Sequence, residues 1–92
     1  MRIEARPRLL KDIDALRQAS VKKYVSDFID DACYSNIQEL ITHYDFRALK
    51  DNGAFYRLRI DEYRLGCRYD RATDTLILMR LLHRGEIYKY FP

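Results

Sequence analysis

Between Arg57 and Arg68 the chain reads RLRIDEYRLGCR, with arginines at 57, 59, 64 and 68. Side chains of an extended segment alternate between two faces, so this spacing sorts the arginines from the apolar residues. If 55–60 and 63–69 are strands that fold back around Asp61 and Glu62, Ile60 meets Tyr63, Leu58 meets Leu65 and Tyr56 meets Cys67 on one face. The other face then pairs Arg59 with Arg64, Arg57 with Gly66 and Phe55 with Arg68. Like charges set opposite one another on a sheet cost about as much as a favourable pair contributes, a few tenths to roughly 1 kcal/mol, so an anion is expected to offset them. The guanidinium fork matches phosphate and carboxylate geometry and keeps its charge at any physiological pH. Gly66, lacking a side chain, leaves room for a ligand to approach the backbone.

The other reading of this face is a solvated surface neutralised by acids such as Asp70 or Asp74. The Asp61-Glu62 turn lacks the glycine or asparagine favoured by two-residue hairpins, so a four-residue loop is open to it, with the pairing kept. A one-residue bulge would instead send the two arginines to opposite faces. Further along, LLHRGEIYKYF (81–91) ends a strongly apolar strand at His83-Arg84 and places Tyr88 shortly after, within reach of the arginine face from the side.

The rest of the chain must hold this hairpin in place. Met1 to Ala5 alternates apolar and charged residues and suits a short first strand. Pro7, followed by Leu9, Leu10, Ile13 and Leu16, predicts a helix over about 7–17, with proline in the first turn where its missing N–H costs nothing. Ser20 is placed to cap a second helix carrying Val21, Tyr24, Val25, Phe28, Ile29, Ala32 and Cys33 at helical spacing. These apolar stripes suit helices lying on a sheet; the alternative is a grip on a partner helix. Asn36 with Glu39 three residues on resembles a capping box for another helical turn to Ile41. Asp51-Asn52-Gly53 marks a turn, after which the pattern has period two, with strands at about 55–60, 63–69 and 75–83 and an extended piece near 86–91.

Ninety-two residues suit one small domain. The net charge of +3 is unevenly placed: residues 1–54 carry nine Lys/Arg against nine Asp/Glu, and residues 55–92 carry eight against five. Five of the eight tyrosines share that second segment, and arginine mixed with tyrosine is one way to hold phosphates and stack bases. The alternative is a tyrosine-rich sheet with a solvated basic face. No run of about 18 uncharged apolar residues occurs and the N-terminus has no leader pattern, so a cytoplasmic location without membrane contact is expected. Cys33 and Cys67, too few for a disulfide framework or zinc site, read as buried thiols. No His/Asp/Glu cluster has ligand spacing, so neither metal nor cofactor is expected. The acidic pairs Asp30-Asp31 and Asp61-Glu62 read as helix-surface and turn charges, and His43 as structural.

Taken in order, FYRLRIDEYRLGCRYD and LLHRGEIYKYF resemble the RelE/ParE superfamily of toxins from toxin–antitoxin pairs, and the RelE-type branch most. The resemblance runs over nearly the whole chain and rests on basic-x-basic, then Tyr-Arg, then His-Arg and a late tyrosine. It implies an α+β fold, a single domain over 1–92, with two N-terminal helices packed on one face of a small antiparallel sheet; ending at Pro92, the sequence departs from those members expected to carry a C-terminal helix. It also implies a metal-independent endoribonuclease that cuts mRNA in the ribosomal A site, with a cognate acidic antitoxin as its silencing partner. By motif position, Arg57 and Arg59 would hold phosphates, Arg64 would stabilise the transition state, Arg84 would lie near the leaving oxygen and Tyr88 would stack on a base, with Tyr63 beside Arg64 and further RNA contact from Arg68 and Lys89. The family's best-known pattern has lysines where this chain has Arg57 and Arg59. That leaves the general acid/base open: His83 is the candidate, against a strand-end histidine satisfied by hydrogen bonds. The alternatives are a ParE-like inhibitor of DNA gyrase acting without catalysis, and a degenerate member that binds without cleaving.

Overall fold

A central three-stranded meander, in which hydrophobic side chains alternate with arginines, organises the molecule. The computed structural model describes residues 1–49 and 52–92. In chain order it contains β1 (Arg2–Ala5), α1 (Pro7–Ala15), α2 (Ala19–Ala32), α3 (Ile37–His43), β2 (Phe46–Leu49), β3 (Asn52–Ile60), β4 (Tyr63–Asp70), β5 (Thr75–His83) and α4 (Ile87–Tyr90). The five strands form one sheet in the order β1-β5-β4-β3-β2. The fold is α+β, as expected, but the sheet is mixed: β1 runs parallel to β5 and the other pairs are antiparallel. A parallel pair needs a crossover, and everything from α1 to β4 supplies it.

One face of the sheet carries Phe46, Tyr56, Leu58, Ile60, Leu65, Cys67, Leu76, Leu78 and Leu81, all buried. They pack with Leu9 and Leu16 flanking and within α1, Val21, Val25, Phe28 and Ala32 of α2, and Leu40 of α3 in a single cluster. The helical stripes thus lie on the sheet, the bland reading of the two. The rings of Phe28 and Phe46 lie 5.7 Å apart, and Phe46 stacks on Tyr56 at 5.0 Å. A fully buried side chain of this size contributes about 1.5–3 kcal/mol, so this layer is the main source of stability.

Several local expectations change. Pro7 opens α1 as expected, but Leu16 is its C-cap, buried beyond the last turn. Gln18, not Ser20, is the N-cap of α2, and Ser20 lies inside the first turn without a capping bond. The capping box of Asn36 and Glu39 is present, with both reciprocal bonds formed. Cys67 is fully buried, and burial pushes its thiol up and out of reach of ionisation, whereas Cys33 is exposed, because it sits past the last apolar turn of α2. Asp51 of the expected Asp51-Asn52-Gly53 turn lies outside the described residues, and Asn52 and Gly53 already belong to β3. The short strand β2 carries no turn chemistry to announce it. The segment expected to be extended near 86–91 holds a helical turn, α4, whose Ile87 and following Phe91 are buried. No helix among the described residues is long and apolar enough to cross a membrane.

Candidate functional site

The hairpin register is the one the sequence pattern predicts: Ile60 pairs with Tyr63, Arg59 with Arg64, Leu58 with Leu65, Arg57 with Gly66, Tyr56 with Cys67 and Phe55 with Arg68. The turn keeps the tight two-residue form rather than opening to four. Asp61 takes the left-handed backbone at φ 51, which aspartate tolerates better than most residues. No irregularity interrupts this pair of strands, so Arg57, Arg59, Arg64 and Arg68 share the face away from the helices. The irregularity falls between β4 and β5, where Gly66 pairs with Arg80 and Cys67 with Leu78, leaving Met79 as the extra residue. This shift lets Leu76, Leu78 and Leu81 all join the helix-bearing layer while Leu82 pairs with Arg64.

The arginines differ in what they touch. Arg57 donates from Nη1 to both the backbone oxygen and Oδ1 of Asp45, each at 2.9 Å, and is four-fifths buried. That pairing, with burial opposing it, holds the Asp45 carboxyl below its ordinary range, helped by the charges of Arg57, Arg47 and Arg59. The neutralising acid is thus Asp45, not Asp70 or Asp74: the side chain of Asp70 accepts from the Ala72 amide and that of Asp74 from the Tyr69 hydroxyl. Arg84 binds Glu62 through Nε at 2.9 Å. Arg59 is exposed and its side chain has no hydrogen bond or ion pair among the described residues. Arg64 is half-buried and donates from Nη1 to the backbone oxygens of Asp61 and Tyr63, both at 2.8 Å, so it is oriented by neutral acceptors rather than by a carboxylate. Burial draws its guanidinium below the ordinary value; Arg59 and Arg57 push the same way, Tyr88 the opposite way and Arg84 slightly downward. Four of the expected site residues thus surround the fifth electrostatically.

The remaining candidates lie elsewhere or to the side. His83 pairs with Tyr63, one residue out of step with Arg64, and its ring meets Tyr63 edge-on at 5.8 Å on the helix-bearing side. Its Nδ1 accepts from the Gly85 amide at 3.2 Å, and Nε2 lies 4.0 Å from Glu62. Those contacts match a strand-end histidine held by its neighbours. Arg68 is half-buried beside Phe55 and Ile77, and Lys89 is exposed and paired with Glu86 at 3.4 Å. Arg80 is held by Asp12, whose carboxylate also accepts from the Leu81 amide freed by the bulge, and its guanidinium lies 5.4 Å from the centre of the Tyr90 ring. Gly66 does not face an opening for a ligand: a Cβ there would come within 2.6–2.8 Å of the Phe91 ring. Among the described residues no cluster of His, Cys, Asp or Glu could hold a metal ion.

A cleft of about 550 Å³ beside Arg59 is lined by Ser20, Tyr24, Asp45, Ile60, Asp61 and Glu62. Arg57, Arg64, Arg84 and Tyr88 lie outside that lining; Arg84 and Tyr88 are exposed, Arg64 is half-buried and Arg57 mostly buried. Sequence pattern did not single out Asp45, Asp12 or Phe91. Their importance comes from contacts 12, 68 and 25 positions away, with Arg57, Arg80 and Gly66.

Over 48 residues the chain is 42% identical to a curated protein named Toxin RelE3 from Methanocaldococcus jannaschii, a stretch covering 52% of each. The match therefore spans about half the length of that relative. Along 97% of its own length it superposes on 99% of a chain in the crystal structure of a RelB-RelE antitoxin-toxin complex from Methanococcus jannaschii, with TM-score 0.80 and 29% identity. In sequence over half its length and in fold over nearly all of it, the chain is similar to RelE-type toxins. A chain of the archaeal RelE-RelB complex from Pyrococcus horikoshii shares the RelE fold at TM-score 0.71 and 20% identity, covering 94% of this chain and 97% of that one. No family model matches the sequence. Both superpositions cover nearly the whole of this chain, so the likeness in fold is not confined to the arginine hairpin.

Proposed function

We propose that this RelE-type chain is the toxin of a type II toxin–antitoxin pair: a ribosome-dependent, metal-independent mRNA endonuclease of the cytoplasm, silenced by an acidic antitoxin that covers its arginine face. The observation that carries this reading is the direct pairing of Arg59 with Arg64 on an open sheet face, with no carboxylate on either side chain among the described residues. Two guanidinium groups held by a rigid hairpin, neither in an ion pair among the described residues, are pre-arranged for an anion whose charge is spread over several oxygens. A phosphodiester passing through a phosphorane-like transition state has that distribution.

Arg64, fixed by two backbone oxygens, takes the role of stabilising the developing charge, and Arg59 holds the scissile or neighbouring phosphate. Arg57 and Arg84 begin paired, with Asp45 and Glu62, and serve as phosphate contacts by exchanging one anion for another. Tyr88, exposed on α4, offers a ring for a base. The 2′-OH gives its proton to water or hydroxide and attacks the adjacent phosphorus, the bond to the 5′ oxygen breaks, and that oxygen takes a proton from water, leaving a 2′,3′-cyclic phosphate and a 5′-OH. The expected catalytic side chains on this face are guanidinium and phenol groups rather than imidazoles or carboxylates, and His83 contacts Tyr63 instead. The rate enhancement therefore comes from positioning and charge stabilisation rather than from a general base. Cleavage is expected to rise with pH through 6–8 without an inflection, and His83→Ala to remain active within about threefold; a bell centred near pH 6.5, abolished by that substitution, would restore histidine to the mechanism.

The deciding experiment is a reconstituted translation reaction with defined mRNA. Wild-type protein should cut ribosome-bound message and spare free message, and folded Arg64→Ala should not cut. Absence of products, or DNA breaks with an SOS response in cells, would replace this reading by binding alone or by gyrase inhibition.

A further inference from the structure

The C-terminal turn crosses the arginine face instead of leaving the sheet. Ile87 and Phe91 are buried, yet neither belongs to the large cluster between helices and sheet. Phe91 meets the ring of Phe55 edge-on at 5.7 Å, and Phe55 shares the face of Arg57, Arg59 and Arg64. Its own ring lies over Gly66, so close that a methyl group there would sit 2.6 Å from Cδ2 and 2.7 Å from Cγ. Real side chains do not approach so closely; the seat exists only because position 66 is glycine. Gly66 is two residues from Arg64 along the same face of β4, about 7 Å at the rise of an extended strand. Tyr88 is three residues before Phe91 in the same short turn.

We propose that Phe91, seated on Gly66, is a positioning residue: its ring pins the C-terminal turn to β4 and thereby holds Tyr88 beside Arg64. The role assigned to Tyr88 rests on the nuclease reading above, whereas the seat itself does not. Neither Phe91 nor Gly66 touches the reacting atoms in this scheme. Gly66→Ala drives the ring out and lifts the turn, and Phe91→Ala removes the ring and releases it.

The test uses the full 92-residue chain made by chemical synthesis, with 15N-labelled Arg64, and refolded. Thermal melting first establishes that Gly66→Ala and Phe91→Ala fold. In the protein alone, each substitution should move the Arg64 Nε–Hε NMR signal in the direction that Tyr88→Ala moves it. In the ribosome assay each should lower cleavage by about tenfold, the scale of one lost base–aromatic stack, and adding Tyr88→Ala should lower it no further. In a Phe91→Ala background, Gly66→Ala should have no additional effect on either readout, since the clash partner has gone; a general weakening of β4 by alanine would persist there. An unmoved Arg64 signal overturns the proposal even if every protein is inactive. Full cleavage by Phe91→Ala with active wild type overturns it while leaving the nuclease reading intact.

Discussion

The two faces of the sheet come from the same three strands and follow opposite rules. On the helix-bearing face, Leu58 and Leu65 meet across the hairpin, fully buried within the hydrophobic cluster. One residue along each strand, Arg59 and Arg64 meet on the open face, where Asp45 and Glu62 form their ion pairs with the flanking Arg57 and Arg84. The first face lowers the free energy of the fold by removing apolar area from water; the second retains like-charge repulsion that the hairpin must withstand. The site is therefore a charged surface whose cost is met by the layer behind it. That is the separation expected where a rigid scaffold carries a pre-arranged binding group.

Substitutions at neighbouring positions can sharpen or break this contrast. The largest effect is expected from Arg64→Ala, which should lower mRNA cleavage about 10²–10³-fold, the usual consequence of losing one donor to a developing charge. Its melting transition should scarcely move, because a repulsive neighbour is lost together with two hydrogen bonds. The next residue gives the reverse pattern: Leu65→Ala should destabilise by about 2–5 kcal/mol in chemical denaturation, reducing activity only in proportion to the folded fraction. If both substitutions acted alike, the division between the faces would be false.

A smaller effect is expected at Arg59. Arg59→Gln relieves the direct repulsion and should stabilise the fold by a few tenths of a kcal/mol, up to about 1, at low salt, while weakening cleavage. Since the charges are exposed, the gain should fade as ionic strength rises toward about 1 M, where the screening length is roughly 3 Å. A loss of stability instead would mean that an unseen attraction holds Arg59. The smallest effect concerns acid. The Asp45 carboxyl is depressed by its bond to Arg57, so its contribution to stability is fully present above the ordinary carboxylate range and is lost as pH falls through the lowered folded-state value. Wild type should lose stability on acidification in that window below about pH 4, and Asp45→Asn should flatten that limb of the curve. Its side chain is two-fifths exposed, so solvent screening keeps the effect small.

Much of the hairpin was legible because strand side chains have a period of two and a turn at Asp61-Glu62 leaves one register that keeps the apolar residues together. All six expected cross-strand pairs occur. The capping box at Asn36 and Glu39 was legible for a similar reason, both partners being local. Misreadings arose where local pattern and tertiary contact disagree. Ile87-Tyr88-Lys89-Tyr90 alternates like a strand, yet it folds as a turn because Ile87 and Phe91 find a second apolar patch beside Phe55. Ser20 looked like a cap, but α2 begins earlier, at Ala19 after Gln18. Gly66 does mark a close approach, but of the Phe91 ring rather than of a ligand, because that ring is brought to it from 25 positions away.

By itself the sequence determined which side chains share a face: periodicity separates Leu58 and Leu65 from Arg59 and Arg64 before any contact is known, since a strand has only two sides. It also carried the order of basic and aromatic positions by which the chain resembles RelE-type proteins. Only the tertiary structure decided which arginines are already occupied, because Asp45 reaches Arg57 and Asp12 reaches Arg80 across distances in the chain that no local period encodes. It decided, too, that His83 turns to Tyr63 and that the C-terminal turn lies on β4. Charge pairing and ring seating depend on through-space separation of a few ångströms, and that separation is set by how the sheet, its bulge and its helices assemble.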